Sequence, residues 1–449
     1  MIAGLPKAPS SMNPLVNPRR ALIRRNWILT RMLSLDYIYQ EQYDLAIKAP
    51  LSASHHGLVS EVNAPYLAET IRRFMIKEYG LEAYKQGLEV YTTLDSQLQN
   101  KAVDALVSGL ELYDRRHGFR VPENFKNLFP EDFFLEDLDS RLNKIDLSRS
   151  LPVLTSEIPE QGPLENVYDL LKDFSTADNK FPSLVISVGE EIYVLSSDRE
   201  YYKLPWTDGL NWARPYITED LRGPRPKSYS NFLREGDLVW LKRDKIKSSL
   251  SVTQIPDVQG SLVSMDPHTG GVRALVGGYD FFLSKFDRAT QSSPLLGSNY
   301  KPFLYAAAFS DGFTAATLIN DAPIVFEDKA LEDKWRPRNA SGRFYGPTRL
   351  REGLLQSRNL VSIRLLREVG IEKVRKYSEN FGFTSSSLPS DLSLALGTAS
   401  MSPLMNASAY SVFANGGNSI KPYFIEIIID RFGEIIYQKE KIERKQIID

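Results

Sequence analysis

In the run RRALIRRNWILTRML, the apolar residues Leu22, Ile28, Leu29, Met32 and Leu33 recur at helical spacing with arginines between them. Pro18, just ahead, suits the first turn of such a helix. Residues 36–47 predict a second, short helix, and 64–80 a third that Gly80 ends. Between them SASHHG (52–57) reads as a loop that exposes His55 and His56. A β-rich stretch at 89–95 precedes a long amphipathic helix over 97–118, again stopped by a glycine. From 119 to about 255 the helical period fades. Short alternating runs such as SLVISVGEEIYVLSS (183–197) and DLVWLKR (237–243) predict strands separated by charged and Pro/Gly-rich turns. From 257 the pattern changes again. VQGSLVSMDPHTGGVRALVGG predicts two strands joined by a DPHTGG turn. Helices follow over 301–312, 350–370, 371–382 and 403–417, and then two strands over 422–438 around RFGE.

These shifts of period predict a multidomain α+β chain, as expected at 449 residues. The middle stretch reads as a small β-rich domain, an open barrel being the best fit. Its Trp206, Trp212 and Trp240 could form a ligand platform, but packing in the sheet and core is the stronger reading. The Arg-rich first helix fits a solvated face better than a surface for anionic lipid.

Composition narrows the chemistry. The net charge of -1, from 55 basic and 56 acidic residues, gives no bulk attraction for nucleic acid. With no Cys there is no disulfide, thiolate nucleophile or zinc–thiolate site, and four His make a multi-His metal site improbable. No metal or cofactor is expected. No run of about 18 apolar residues offers a membrane span, and the first residues, MIAGLP, do not read as a signal peptide.

The sharpest local feature is GSNYKPF (297–303). Pro302 has no amide hydrogen and fits only the first turn of a helix, which puts the helix start near Ser298. Ser298 and Lys301 then share a face. The serine lies where free N–H groups and the helix dipole favour negative charge. The lysine can serve as its base if burial lowers its pKa. Ser-x-x-Lys arises by chance about once in a chain of this size, so the Pro302 context matters more than the pair. QSRN (356–359) supplies Ser357, suited to relaying a proton, and Asn359, suited to orienting the lysine and holding a substrate amide. Ser-x-Asn recurs at Ser11–Asn13 and Ser378–Asn380. The 378–380 copy precedes Phe381-Gly382 and reads as helix-terminal polar residues, whereas Ser357 follows Ser298 by 59 residues, across a helical stretch that can fold back.

With these motifs in place, the chain resembles the class A penicillin-binding proteins of the 1A type. The resemblance rests on SKFDRATQSSPLLGSNYKPFLYAAAF (284–309), WRPRNASGRFYGPTRLREGLLQSRN (335–359), LALGTASMSPLMNASAYSVFANGG (394–417) and IAGLPKAPSSMNP (2–14). It implies a helical remnant of a lysozyme-like family 51 glycosyltransferase domain over 1–75 and a linker region over 76–118. It further implies an OB-like β-rich domain over 119–255 and a serine β-lactamase/transpeptidase-like domain over 256–449. In such proteins the residue matching Ser298 attacks the penultimate D-alanine carbonyl of a stem peptide. The residue matching Lys301 activates it, and those matching Ser357 and Asn359 complete a second motif. The implied partners are D-Ala-D-Ala donor peptides, an amine acceptor, β-lactams and the cell-wall synthesis machinery, at the periplasmic face of the inner membrane. Two departures stand out. The family's third motif, Lys-Thr/Ser-Gly, does not follow Asn359, and His268-Thr269-Gly270 lies in the wrong place to replace it. The acidic glycosyltransferase residues and the membrane helix are expected upstream of IAGLPKAPS. The expectation is therefore an internal piece of a bifunctional enzyme. The rival reading is an inactive module that binds peptidoglycan or a partner.

Overall fold

The computed structural model describes residues 12–14, 18–51, 53, 60–129, 163–174, 176–177, 179–198, 200–243, 249–324, 335–440 and 444–448. His55 and His56 lie outside the described residues, as does the Ser-x-Asn copy's Ser11. The chain divides into two compact units, residues 1–61 and 62–449.

The first unit contains two helices, Pro18–Ser34 and Gln40–Lys48. Arg25 joins them by donating to the carbonyls of Ala49 (2.7 Å) and Ile47 (3.1 Å), so one arginine of the basic face closes a helix end. The second helix begins four residues later than the pattern predicts. Asp36 takes a left-handed φ of 56°, and Gln42 Oε1 accepts from the Tyr39 N–H, which starts the helix at Gln40.

In the second unit a helix, Pro65–Tyr79, leads through a 3-10 turn to the strand Glu89–Thr92 and the helix Ser96–His117. Asp95 caps that helix by accepting from Gln97 N and Leu98 N. The strand Glu89–Thr92 pairs antiparallel with Ile425–Ile429, which in turn pairs with Ile435–Gln438. Sequence-distant ends of the unit thus close one three-stranded sheet.

The β-rich part is a five-stranded antiparallel sheet whose central strand, Lys180–Val188, pairs with Glu191–Ser196 and Leu238–Arg243. Val185 enters the core on one face and Leu184 and Ile186 that on the other, where Val167 and Leu171 of the helix Pro163–Leu171 cover them. Trp206, Trp212 and Trp240 all pack against these cores. Glu111, on the long helix, anchors this part by accepting from Lys180, Lys242 and Tyr279. Burial opposes charge on Glu111, but the two lysines overcome it and hold its carboxyl below the usual range.

The remaining part begins with the expected hairpin, Leu262–Met265 and Val272–Val276. Asp266 Oδ1 accepts from the His268 and Thr269 N–H groups in its turn. Helices then pack around Phe303, whose fully buried ring meets Phe381, Phe383 and Tyr410 edge-on. One expected helix is two. The stretch 350–370 forms Leu350–Leu355 and Asn359–Val369, broken at Gln356–Arg358. Arg358 N donates to Gly353 O and Ser357 N to Leu354 O. This paired closure ends a helix on a left-handed residue, and the residue here is Ser357, with φ 51°.

Candidate active site

Pro302 sits in the first turn of the helix Lys301–Ser310, as its missing N–H requires. Ser298 lies one turn earlier, in a 3-10 turn over Gly297–Tyr300. The helical rise therefore begins at the serine, but the α-helix proper begins at the lysine. The tighter turn has a visible cause. Gly297 N donates to Gly397 O, and a Cβ on Gly397 would lie 1.7 Å from Gly297 O. Gly397, itself at φ 80°, lets two backbones meet beside the serine. Tyr410 Oη, donating to Asn299 O at 2.8 Å, holds the same turn from the other side.

Lys301 is 1 % exposed, whereas Ser298 is open to solvent. Its Nζ donates to Ser357 O (2.7 Å), Ser357 Oγ (2.9 Å) and Asn359 Oδ1 (2.8 Å). Ser357 Oγ lies 2.9 Å from Ser298 Oγ. The hydrogen-bonded path from the lysine to Ser298 Oγ thus runs through Ser357. Burial lowers the Lys301 pKa from 10.5 to about 8. The identity of its partners then sets the chemistry. Two are carbonyl oxygens, which can only accept. When Nζ is neutral its two N–H groups stay on them, and its lone pair faces the one partner able to donate, the Ser357 hydroxyl.

The break in the helix is what brings Ser357 here. A left-handed non-glycine residue costs about 1–3 kcal/mol and recurs at functional sites. Asn359, two residues on, opens the next helix and is held by its other end, with Nδ2 donating to Arg338 O at 2.9 Å. That bond fixes which end of the amide meets the lysine.

All four residues singled out in the sequence, Ser298, Lys301, Ser357 and Asn359, converge in one cluster. Ser378 of the competing Ser-x-Asn copy is instead fully buried against Tyr300 Oη at 2.8 Å. Arg338, Gly397 and Tyr410 belong to the site and escape sequence reasoning, although all three lie inside the segments that carry the resemblance.

Residues 260–449 match the penicillin-binding protein transpeptidase domain and residues 152–258 the penicillin-binding protein OB-like domain. Penicillin-binding protein 1A of Pseudomonas aeruginosa is 44 % identical over 439 residues, 98 % of this chain and 49 % of that protein. The Escherichia coli protein of the same name is 36 % identical over 439 residues, 98 % of this chain and 48 % of that protein. The crystal structure of penicillin-binding protein 1A from Haemophilus influenzae is similar with a TM-score of 0.70 at 33 % identity, covering 98 % of this chain and 58 % of that one. The chain spans about half the length of the curated relatives it matches. It belongs to the penicillin-binding protein 1A family.

Proposed function

We propose that the whole protein carrying this sequence is a serine D,D-transpeptidase that cross-links peptidoglycan stem peptides and is acylated by β-lactams. The observation that carries this reading is the chain of hydrogen bonds from exposed Ser298 through Ser357 to buried Lys301. Ser298 Oγ attacks the penultimate D-alanine carbonyl. Its proton passes to Ser357 Oγ, whose own proton passes to the Lys301 lone pair. The tetrahedral centre collapses, the C–N bond breaks, and the departing D-alanine amine takes the proton back along the same path. An ester on Ser298 remains. An amine of a second stem peptide then attacks that ester, gives up its proton through the same relay, and leaves Ser298 as a hydroxyl. General-base help of this kind is typically worth about 10²- to 10⁴-fold. A β-lactam follows the first half, but its leaving nitrogen stays tethered to the acyl group and obstructs the acceptor.

The relatives' names, penicillin-binding protein, support the β-lactam half of this reading. Stem peptides place the work at the periplasmic face of the inner membrane. Among the described residues no helix is long and apolar enough to cross a membrane. Residues 1–75 fit the end of a glycosyltransferase domain, which would make the parent bifunctional, and the synthesis machinery is its natural partner. The test is mass spectrometry of the whole protein after penicillin treatment. The adduct is expected on Ser298, and an adduct on a different serine, or none, overturns the reading.

A further inference from the structure

Asp321 is fully buried at the end of the strand Leu318–Asp321, and nothing in the proposed proton relay uses it. Its carboxylate accepts from Asn339 Nδ2 at 2.8 and 3.0 Å and pairs with Arg358 at 3.5 Å. The Arg358 guanidinium lies 3.3 Å from the centre of the Tyr345 ring, and the Tyr345 N–H donates to Asp321 O. Asn339 Oδ1 in turn accepts from Leu360 N at 3.3 Å. One carboxylate thereby grips the residues on both sides of Asn359, Arg358 directly and Leu360 through Asn339. Asn339 also adjoins Arg338, whose carbonyl holds the Asn359 amide.

Resting on the transpeptidase reading above, the structure assigns Asp321 as the positioning residue that holds Ser357 and Asn359 against Lys301. Ser357 needs such a holder because it sits at a φ of 51° that costs free energy and persists only when its surroundings over-determine it. A pinned Arg358 supplies this from the residue immediately following. A pinned Asn359 amide presents Oδ1 rather than Nδ2 to the lysine, and the wrong end would set two donors face to face. Asp321 touches neither Ser298 nor Lys301 among the bonds of the site. It acts through Asn339 and Arg358.

The test is Asp321→Asn in the whole protein. This change keeps the shape, removes the charge, and points an amide at the Asn339 amide. Stopped-flow penicillin acylation separates the rate constant at saturation from the dissociation constant of the initial complex, and the burst amplitude counts active molecules. The rate constant is expected to fall by about 10- to 100-fold, as for sub-ångström misplacement of catalytic groups, with the initial complex little changed. A residue that merely supports folding would lower the amplitude and leave the rate per active molecule intact. Adding Asn339→Asp returns a carboxylate to the other side of the same hydrogen bond; it loses the bond that Asn339 Nδ2 donates to Arg343 O at 2.9 Å, and so should recover part of the lost rate. If Asp321→Asn does not fold, Tyr345→Leu loosens Arg358 from a half-exposed position and should slow acylation about 3- to 10-fold. An unchanged rate constant in whichever variant folds overturns the assignment alone. Absence of a Ser298 adduct in the wild-type protein overturns the transpeptidase reading and this inference with it.

Discussion

The Lys301 pKa makes the pH dependence of acylation a quantitative prediction. Only the neutral amine can accept the proton that leaves Ser298. At pH 7 a lysine with its ordinary value of 10.5 is neutral about 0.03 % of the time, and one at about 8 about 10 % of the time. Burial therefore raises the reactive fraction roughly 300-fold, equivalent to roughly 3 kcal/mol. The acylation rate constant should climb about tenfold per unit below pH 8 and level off above it. The same shift carries a stability cost whose sign can be checked. The folded-state pKa lies below the unfolded one, so between about 8 and 10.5 the unfolded chain binds more protons and stability rises with pH. Below about 8 both states are protonated and the full cost remains. Stopped-flow acylation across this range measures the first effect. Urea titrations of wild type against Lys301→Ala measure the second, since other titrating groups are common to both proteins. A flat rate profile between about pH 6 and 9, or a midpoint above about 10, would refute the assignment of Lys301 as the base.

Other perturbations follow from the same geometry. Lys301→Ala should suppress acylation about 10²- to 10⁴-fold by removing the base, while Ser357→Ala and Asn359→Ala slow it less, and single-turnover rates rank them. Gly397→Ala sets a Cβ 1.7 Å from Gly297 O, so it should lower Tm and slow acylation together, as calorimetry and labelling would show. Lys180→Ala strips Glu111 of a buried partner and should cost about 3–5 kcal/mol in urea melts, with acylation per folded molecule unchanged.

What is legible in the sequence here is what repeats or turns. Helical and alternating periods reveal the long helix ending at His117, the strands of the β-rich part and the hairpin around Asp266, because local side-chain placement decides them. Ser298 and Lys301 are legible because Pro302 marks a helix start and three residues make one turn. The break at Gln356–Arg358 is not. Gly353 and Leu354 close the helix through backbone groups, and the left-handed residue is a serine where a pattern reader looks for glycine. Asp321 and Gly397 are hidden for a different reason. Each acts on the site through a contact made only after the chain has folded back, and no spacing within a helix or strand encodes it.

The two halves of the cluster are held by opposite means. Ser298 and Lys301 lie on consecutive turns of one helix start whose next turn buries Phe303 in an aromatic core, so their separation follows from helix geometry and packing. Ser357 and Asn359 occupy a kink between two helices and depend on side-chain bonds to Arg338, Asn339 and Asp321. Substitutions in the aromatic core should therefore act mainly on stability. Those around the kink should act mainly on rate, because the strained Ser357 can relax without unfolding the helices beside it. This division also explains why a helix interrupted at Ser357 serves the chemistry better than a continuous one. An unbroken turn would carry the hydroxyl around the helix with its backbone. The left-handed residue instead holds it between the buried amine and the exposed nucleophile, at 2.9 Å from each.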